Sequence, residues 1–97
     1  MHVSSSDRIR MSPEVLVQTL DGEAILLNVK TGQYFGLDQA GTRFWHILTT
    51  KDSVQTAFGE LLAEYEVGDE QLRQDVEDLV GKFLDHGLVE IEHQQLA

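Results

Sequence analysis

The chain has 97 residues, 41% of them hydrophobic and only one a proline, which suits one small globular unit rather than a disordered chain. Its formal net charge of −10 opposes nucleic-acid phosphates and anionic membrane surfaces, and favours a neutral or basic partner. The absence of cysteine excludes a disulfide framework, a thiolate zinc site and a cysteine nucleophile, and is compatible with the cytoplasm. The apolar run Ala24-Ile25-Leu26-Leu27 is far too short to span a bilayer, and the first residues lack the long apolar segment of a secretory signal.

Met1 to Arg10 is polar, Ser-rich and aperiodic, which predicts a flexible arm over residues 1–10. Glu14 to Leu20, with Val15 and Val17, has the composition of a strand. Asp21-Gly22 is a short-hairpin signal, because both residues tolerate positive φ. A second strand, Glu23–Val29, follows; Lys30-Thr31-Gly32 then turns the chain into a third, Gln33–Leu37, completing an antiparallel meander.

Asp38 is placed to cap a helix whose apolar residues recur at Ala40, Phe44, Ile47 and Leu48, with Trp45 widening the stripe. Thr49-Thr50-Lys51 breaks it. Asp52 with Gln55 resembles a capping box, Ser53 being the alternative cap, before Val54, Ala57, Phe58, Leu61, Leu62 and Tyr65 repeat at helical spacing. Gly68 ends that segment and Asp69 caps a third helix over Glu70 to His86. Its stripe is Leu72, Val76, Leu79 and Phe83, with Val80 and Leu84 beside it. Acidic residues in its first turn and Lys82 and His86 in its last match the helix dipole. Gly87-Leu88 reads as a Schellman stop, and Leu88–Ile91 as a short terminal strand. The expected fold is therefore α+β, a three-stranded antiparallel sheet followed by three helices and a short strand. Residues 11–92 would form one domain and 93–97 a flexible tail.

No catalytic constellation emerges. His46, His86 and His93 are scattered without metal-ligand spacing. Asp75 and Asp78 lie on an acidic helix face, where solvated charge is the ordinary reading. Ser53 sits at a helix start, as a cap does. Gly32, Gly36 and Gly41 form neither a phosphate loop nor a dinucleotide fingerprint. No metal or cofactor is expected.

The informative feature is the third strand. Only helices follow it for fifty residues, so its outer edge lacks a partner in the chain, and no proline or charge in Gln33–Leu37 blunts it. Such an edge is a docking site for an extended segment. Tyr34 and Phe35 point to opposite faces, and the pattern leaves open which of them meets the helices. Gly81, which costs up to about 1 kcal/mol relative to alanine in an exposed helix interior, reads either as close helix packing or as room for a segment alongside.

The run Gly32-Gln33-Tyr34-Phe35-Gly36-Leu37-Asp38, followed by Gly41 and by Phe44-Trp45-His46-Ile47-Leu48, resembles the PqqD-like family. Asp75-Val76 through Leu79, Phe83-Leu84 and Gly87-Leu88-Val89 resemble it too, so the similarity spans roughly Met11 to Ile91. The resemblance implies a winged-helix-like domain that recognises the leader of a ribosomally made precursor peptide. The leader would add a strand to the third strand, beside the third helix. The family includes the chaperone of pyrroloquinoline quinone biosynthesis and leader-binding proteins of lasso-peptide pathways; the Tyr34–Leu37 element and Trp45 look closer to the lasso type.

On this reading the peptide site comprises Gln33, Tyr34, Phe35, Gly36 and Leu37 with Leu72, Val76, Leu79 and Phe83. Asp75 and Asp78 form a rim for a basic leader residue, and Lys82 an anchor for a carboxylate. About four to six backbone hydrogen bonds would roughly offset the cost of association, so apolar side chains seated in the groove must supply the surplus. The expected partners are the precursor peptide and a modifying enzyme such as a peptidase, cyclase or radical enzyme, with no enzymatic activity of the chain's own. A bare edge can also pair with a second copy, which leaves a homodimer open. The rival readings are a winged-helix adaptor or regulatory subunit that binds another protein and, less well supported, a DNA-binding domain. The last conflicts with a third helix carrying Asp75, Glu77, Asp78 and Asp85 against Arg73 and Lys82.

Overall fold

A computed structural model describes residues 6–93. The elements are β1 (Arg8–Met11), β2 (Val15–Leu20), β3 (Glu23–Asn28), β4 (Gln33–Gly36), α1 (Gln39–Thr50), α2 (Val54–Glu64), α3 (Asp69–Asp85) and β5 (Val89–Glu92). Strands β2, β3 and β4 form an antiparallel sheet in that order, and β1 pairs with β5 in a separate two-stranded ribbon.

The β2–β3 hairpin turns at Asp21 and Gly22, whose φ angles of 54° and 80° are those of a two-residue turn that follows strand twist. The sheet's inner face supplies Val15, Ala24, Leu26 and Leu37 to a core completed by Trp45, Ile47 and Leu48 of α1, Ala57 and Leu61 of α2, and Leu72, Val76, Val80 and Phe83 of α3. Trp45 meets Phe83 edge-on, with ring centroids 4.9 Å apart. That is a favoured aromatic geometry at the point where α1 crosses α3.

The helix ends follow from capping chemistry. Asp38 accepts from the Gly41 N–H at 2.7 Å, opening α1 immediately after β4. Ser53, rather than Asp52, caps α2 by accepting from the Thr56 N–H at 3.1 Å. Gly68 is the N-cap of α3 without a side-chain bond, so Asp69 is the first helical residue and acts through the dipole. At the other end the Leu88 N–H donates to the Phe83 carbonyl and the Gly87 N–H to that of Leu84. This is a Schellman stop, with Gly87 at φ +68°.

The expected arm over residues 1–10 is corrected at its C-terminal end, where Arg8–Arg10 belong to β1; residues 1–5, and Gln94–Ala97 of the expected tail, lie outside the described residues. Ile9 is 1% exposed, and Arg8-Ile9-Arg10 lies opposite Glu92-Ile91-Glu90. Arg10 donates to Glu90 at 2.7 Å. The apolar centre and opposite charges make this short pair self-consistent, although four residues are too few to register as periodicity. The ribbon also decides the fate of the C-terminal strand. It covers β1, not β4.

Candidate functional site

Strand β4, the third strand of the meander, has β3 on one side and no strand on the other among the described residues. Its register determines what it presents outward. The Leu37 N–H donates to the Ala24 carbonyl at 2.8 Å, so that pair is hydrogen-bonded. Opposed residues in an antiparallel ladder alternate between bonded and non-bonded pairs. With Leu26 opposite Phe35, Leu27 opposite Tyr34 and Ile25 opposite Gly36, Phe35 bonds to β3 while Tyr34 and Gly36 turn their N–H and C=O groups to the open edge.

Side chains alternate with the backbone. Phe35 points inward, its ring 4.9 Å from that of His86 and 6.3 Å from that of Phe83. Tyr34 lies on the opposite face and is 72% exposed. The ambiguity left by the sequence is thus resolved, with Phe35 meeting the helices. Gln33 is exposed, Leu37 is buried, and a methyl group added at Gly36 would meet nothing within 4 Å.

The position of β4 against α3 is set by Asn28, a buried polar residue at the end of β3. Its Nδ2 donates to the carbonyls of His86 and Gly87, and its Oδ1 accepts from the N–H groups of Lys30 and Thr31. One amide therefore joins the β3–β4 turn to the end of α3. Sequence reading missed this residue, because an Asn before a turn is ordinarily a local turn former.

On α3 the expected residues divide. Leu72, Val76 and Phe83 are 1%, 5% and 0% exposed and belong to the core. Their helical spacing marks an apolar stripe but not which part of it meets the neighbouring helices. Asp75, Asp78, Leu79 and Lys82 stand together, with Ala40, Gly41 and Phe44 of α1, around a groove of about 230 Å³. Leu79 is half-buried there, while Asp75, Asp78 and Lys82 are exposed. Each carboxylate accepts from a glutamine one turn back, Asp75 from Gln71 and Asp78 from Gln74, both at 2.9 Å. Gly81 has open space where a Cβ would stand, so close helix packing does not account for it.

This groove is not the largest hollow. One of about 580 Å³ lies between β2 and α1, and one of about 430 Å³ lies among Ile9, α2 and α3. In the second, the Arg73 guanidinium sits 5.2 Å from the Phe58 ring centroid. The shifted pKa values lie away from β4 as well. Glu64 is held below the usual carboxylate range by its hydrogen bonds from Arg43, which tie α2 to α1, and Arg43 is raised by the same bonds. Among the described residues no group of three or more His, Asp or Glu is arranged to hold a metal ion, and no helix is long and apolar enough to cross a membrane.

An open strand edge beside a half-apolar helix flank, on a winged-helix-like α+β frame, defines a small domain built for docking. Residues 23–89 match the family of coenzyme PQQ synthesis protein D, and the chain belongs to this PqqD family. Its fold is similar to that of TbiB1, solved in complex with the TbiA(beta) leader peptide, at 31% identity and a TM-score of 0.78 over 84% of this chain and 94% of that one. It is also similar to a lasso peptide synthetase B1 complexed with the leader peptide, at 25% identity and a TM-score of 0.76, over 86% and 98% of the two chains. No curated protein sequence matches it.

Proposed function

We propose that the chain is a leader-peptide-binding protein that captures a ribosomally made precursor by strand addition to β4 and presents it to a modifying enzyme, itself performing no chemistry. The observation that carries this reading is the outward-facing backbone of Tyr34 and Gly36, next to Phe35 packed on α3 and open among the described residues because β5 pairs with β1. Family membership and the two peptide-bound relatives support it.

Two outward residues offer two N–H and two C=O groups, and bonds worth about 0.5–1.5 kcal/mol net each do not outweigh the cost of ordering a flexible peptide. The surplus comes from an apolar leader side chain seated against Leu79 and Phe44, worth about 1.5–3 kcal/mol when fully buried. Asp75 and Asp78 favour a basic residue beside it, and Lys82 an acidic one. Leu72, Val76 and Phe83 are buried in the core, so their part is to hold α3 in place rather than to touch the peptide.

The test is an amide-shift titration of labelled protein with a synthetic leader from the precursor encoded beside its gene. Shifts should concentrate on Gln33–Leu37 and on Leu79 and Lys82. Shifts confined to other elements would reject the site.

A further inference from the structure

Among the described residues the sheet has a second open edge. Strand β2 borders β3 on one side only, and the Val29 N–H donates to the Glu14 carbonyl at 2.9 Å, making that pair hydrogen-bonded. By alternation Leu16, Gln18 and Leu20 bond to β3, while Val15, Val17 and Thr19 face outward. The Val15 N–H is already taken by the Ser12 carbonyl at 3.1 Å. The edge therefore presents the donors of Val17 and Thr19 and the carbonyls of all three outward residues. Among the described residues, four of the eight exposed large apolar side chains flank it, namely Met11, Leu16, Val17 and Leu20. Beneath it runs the groove of about 580 Å³ floored by Met11, Val17 and Trp45.

From this edge we infer that the protein forms a two-fold dimer by antiparallel pairing of β2 with β2 of a second copy, centred on Val17. This register is self-complementary. Val17 of each copy donates to Val17 of the other, and Thr19 of each donates to the other's Val15 carbonyl. The one pairing that would need the Val15 N–H is the one that the Ser12 bond makes unavailable, so every outward donor is used.

Charge selects the same occupant. Val15–Leu20 carries no charged residue in a chain of net charge −10, and the register sets Glu14 opposite Leu20 and Asp21 opposite Pro13, so no acid faces an acid. On the outer face Leu16 and Leu20, 60% and 71% exposed, become diagonal neighbours across the axis. On the inner face the two grooves join along Val17. The product is a six-stranded sheet with a β4 edge at each end, so pairing leaves both peptide sites open. The inference does not depend on the peptide reading.

The experiment is sedimentation of the full chain from micromolar to millimolar concentration, with circular dichroism to verify folding. Wild type should associate reversibly to a dimer. Val17→Pro, which removes both central donors, should weaken it about tenfold or more. Val17→Lys sets two cations face to face while lowering the net negative charge, so its loss of dimer cannot come from overall repulsion. In this cysteine-free chain Val17→Cys should yield a disulfide-linked dimer on oxidation, because paired Cα atoms about 5.5 Å apart fit disulfide geometry. Leu20→Cys should not. Tyr34→Pro, on the other edge, should leave the dimer unchanged. A wild type that stays monomeric throughout, a dimer that survives both Val17→Pro and Val17→Lys, or one abolished by Tyr34→Pro would overturn the inference.

Discussion

Asn28 Nδ2 lies 3.3 Å from the carbonyl of Gly87, so the last residue of β3 is bound to the residue that ends α3. A Cβ on Gly87 would stand 2.9 Å from that nitrogen, and the left-handed φ of +68° already favours glycine there. The placement of β4 against the end of α3, where Phe35 meets Phe83 and His86, depends on this junction. Asn28→Ala would strand two carbonyls and two turn N–H groups. It should destabilise the fold by about 1–3 kcal/mol in chemical denaturation and weaken leader binding beyond what the lost stability explains.

Tyr34→Pro removes an N–H that points away from β3, so the internal ladder stays whole. The expected result is a near-native melting temperature with leader affinity reduced about three- to tenfold by calorimetry. Unchanged affinity would count against pairing at that residue.

Leu79 and Leu72 share a helix and an apolar stripe but differ in environment, half-buried in the groove against 1% exposed in the core. Leu79→Asp should abolish leader binding while the domain remains folded. Leu72→Ala should cost about 2–5 kcal/mol of stability and change affinity little in the fraction that stays folded. Unfolding of Leu79→Asp would show that this flank of α3 serves the core after all.

Glu64 accepts hydrogen bonds from Arg43, and its carboxyl is held below the usual value of 4.5. A depressed folded-state pKa adds stability above the unfolded value and loses it as pH falls through the folded one. The α1–α2 link should therefore hold from neutral pH to about 4.5 and weaken below. In an NMR titration of the Glu64 side chain, Arg43→Ala should move the midpoint upward. Both groups are exposed, so the overall melting temperature at neutral pH should change little.

The meander, the helices and the Schellman stop were legible in the sequence because each is written locally, as Asp21-Gly22, the caps at Asp38 and Ser53, and Gly87-Leu88 are. Strand β1 was not, since Arg8–Met11 becomes a strand only through Glu90–Glu92, eighty residues away. The candidate site was half legible. Its strand, Gln33–Gly36, and the outer residues Asp75, Asp78, Leu79 and Lys82 follow from pattern. Periodicity could not separate Leu79 from Leu72, Val76 and Phe83, because which side of a broad stripe is covered depends on how α1 and α2 cross it. Ala40, Gly41 and Phe44 escaped notice for the same reason, reading as core spacing while lining the groove.

The β1–β5 ribbon has an engineering consequence. Arg8 and Glu92 are cross-strand neighbours, so β1 and β5, the two outermost strands of the described fold, are held together in a ribbon separate from the three-stranded sheet. A graft made within this ribbon therefore starts away from β4 and leaves the order β2-β3-β4 untouched.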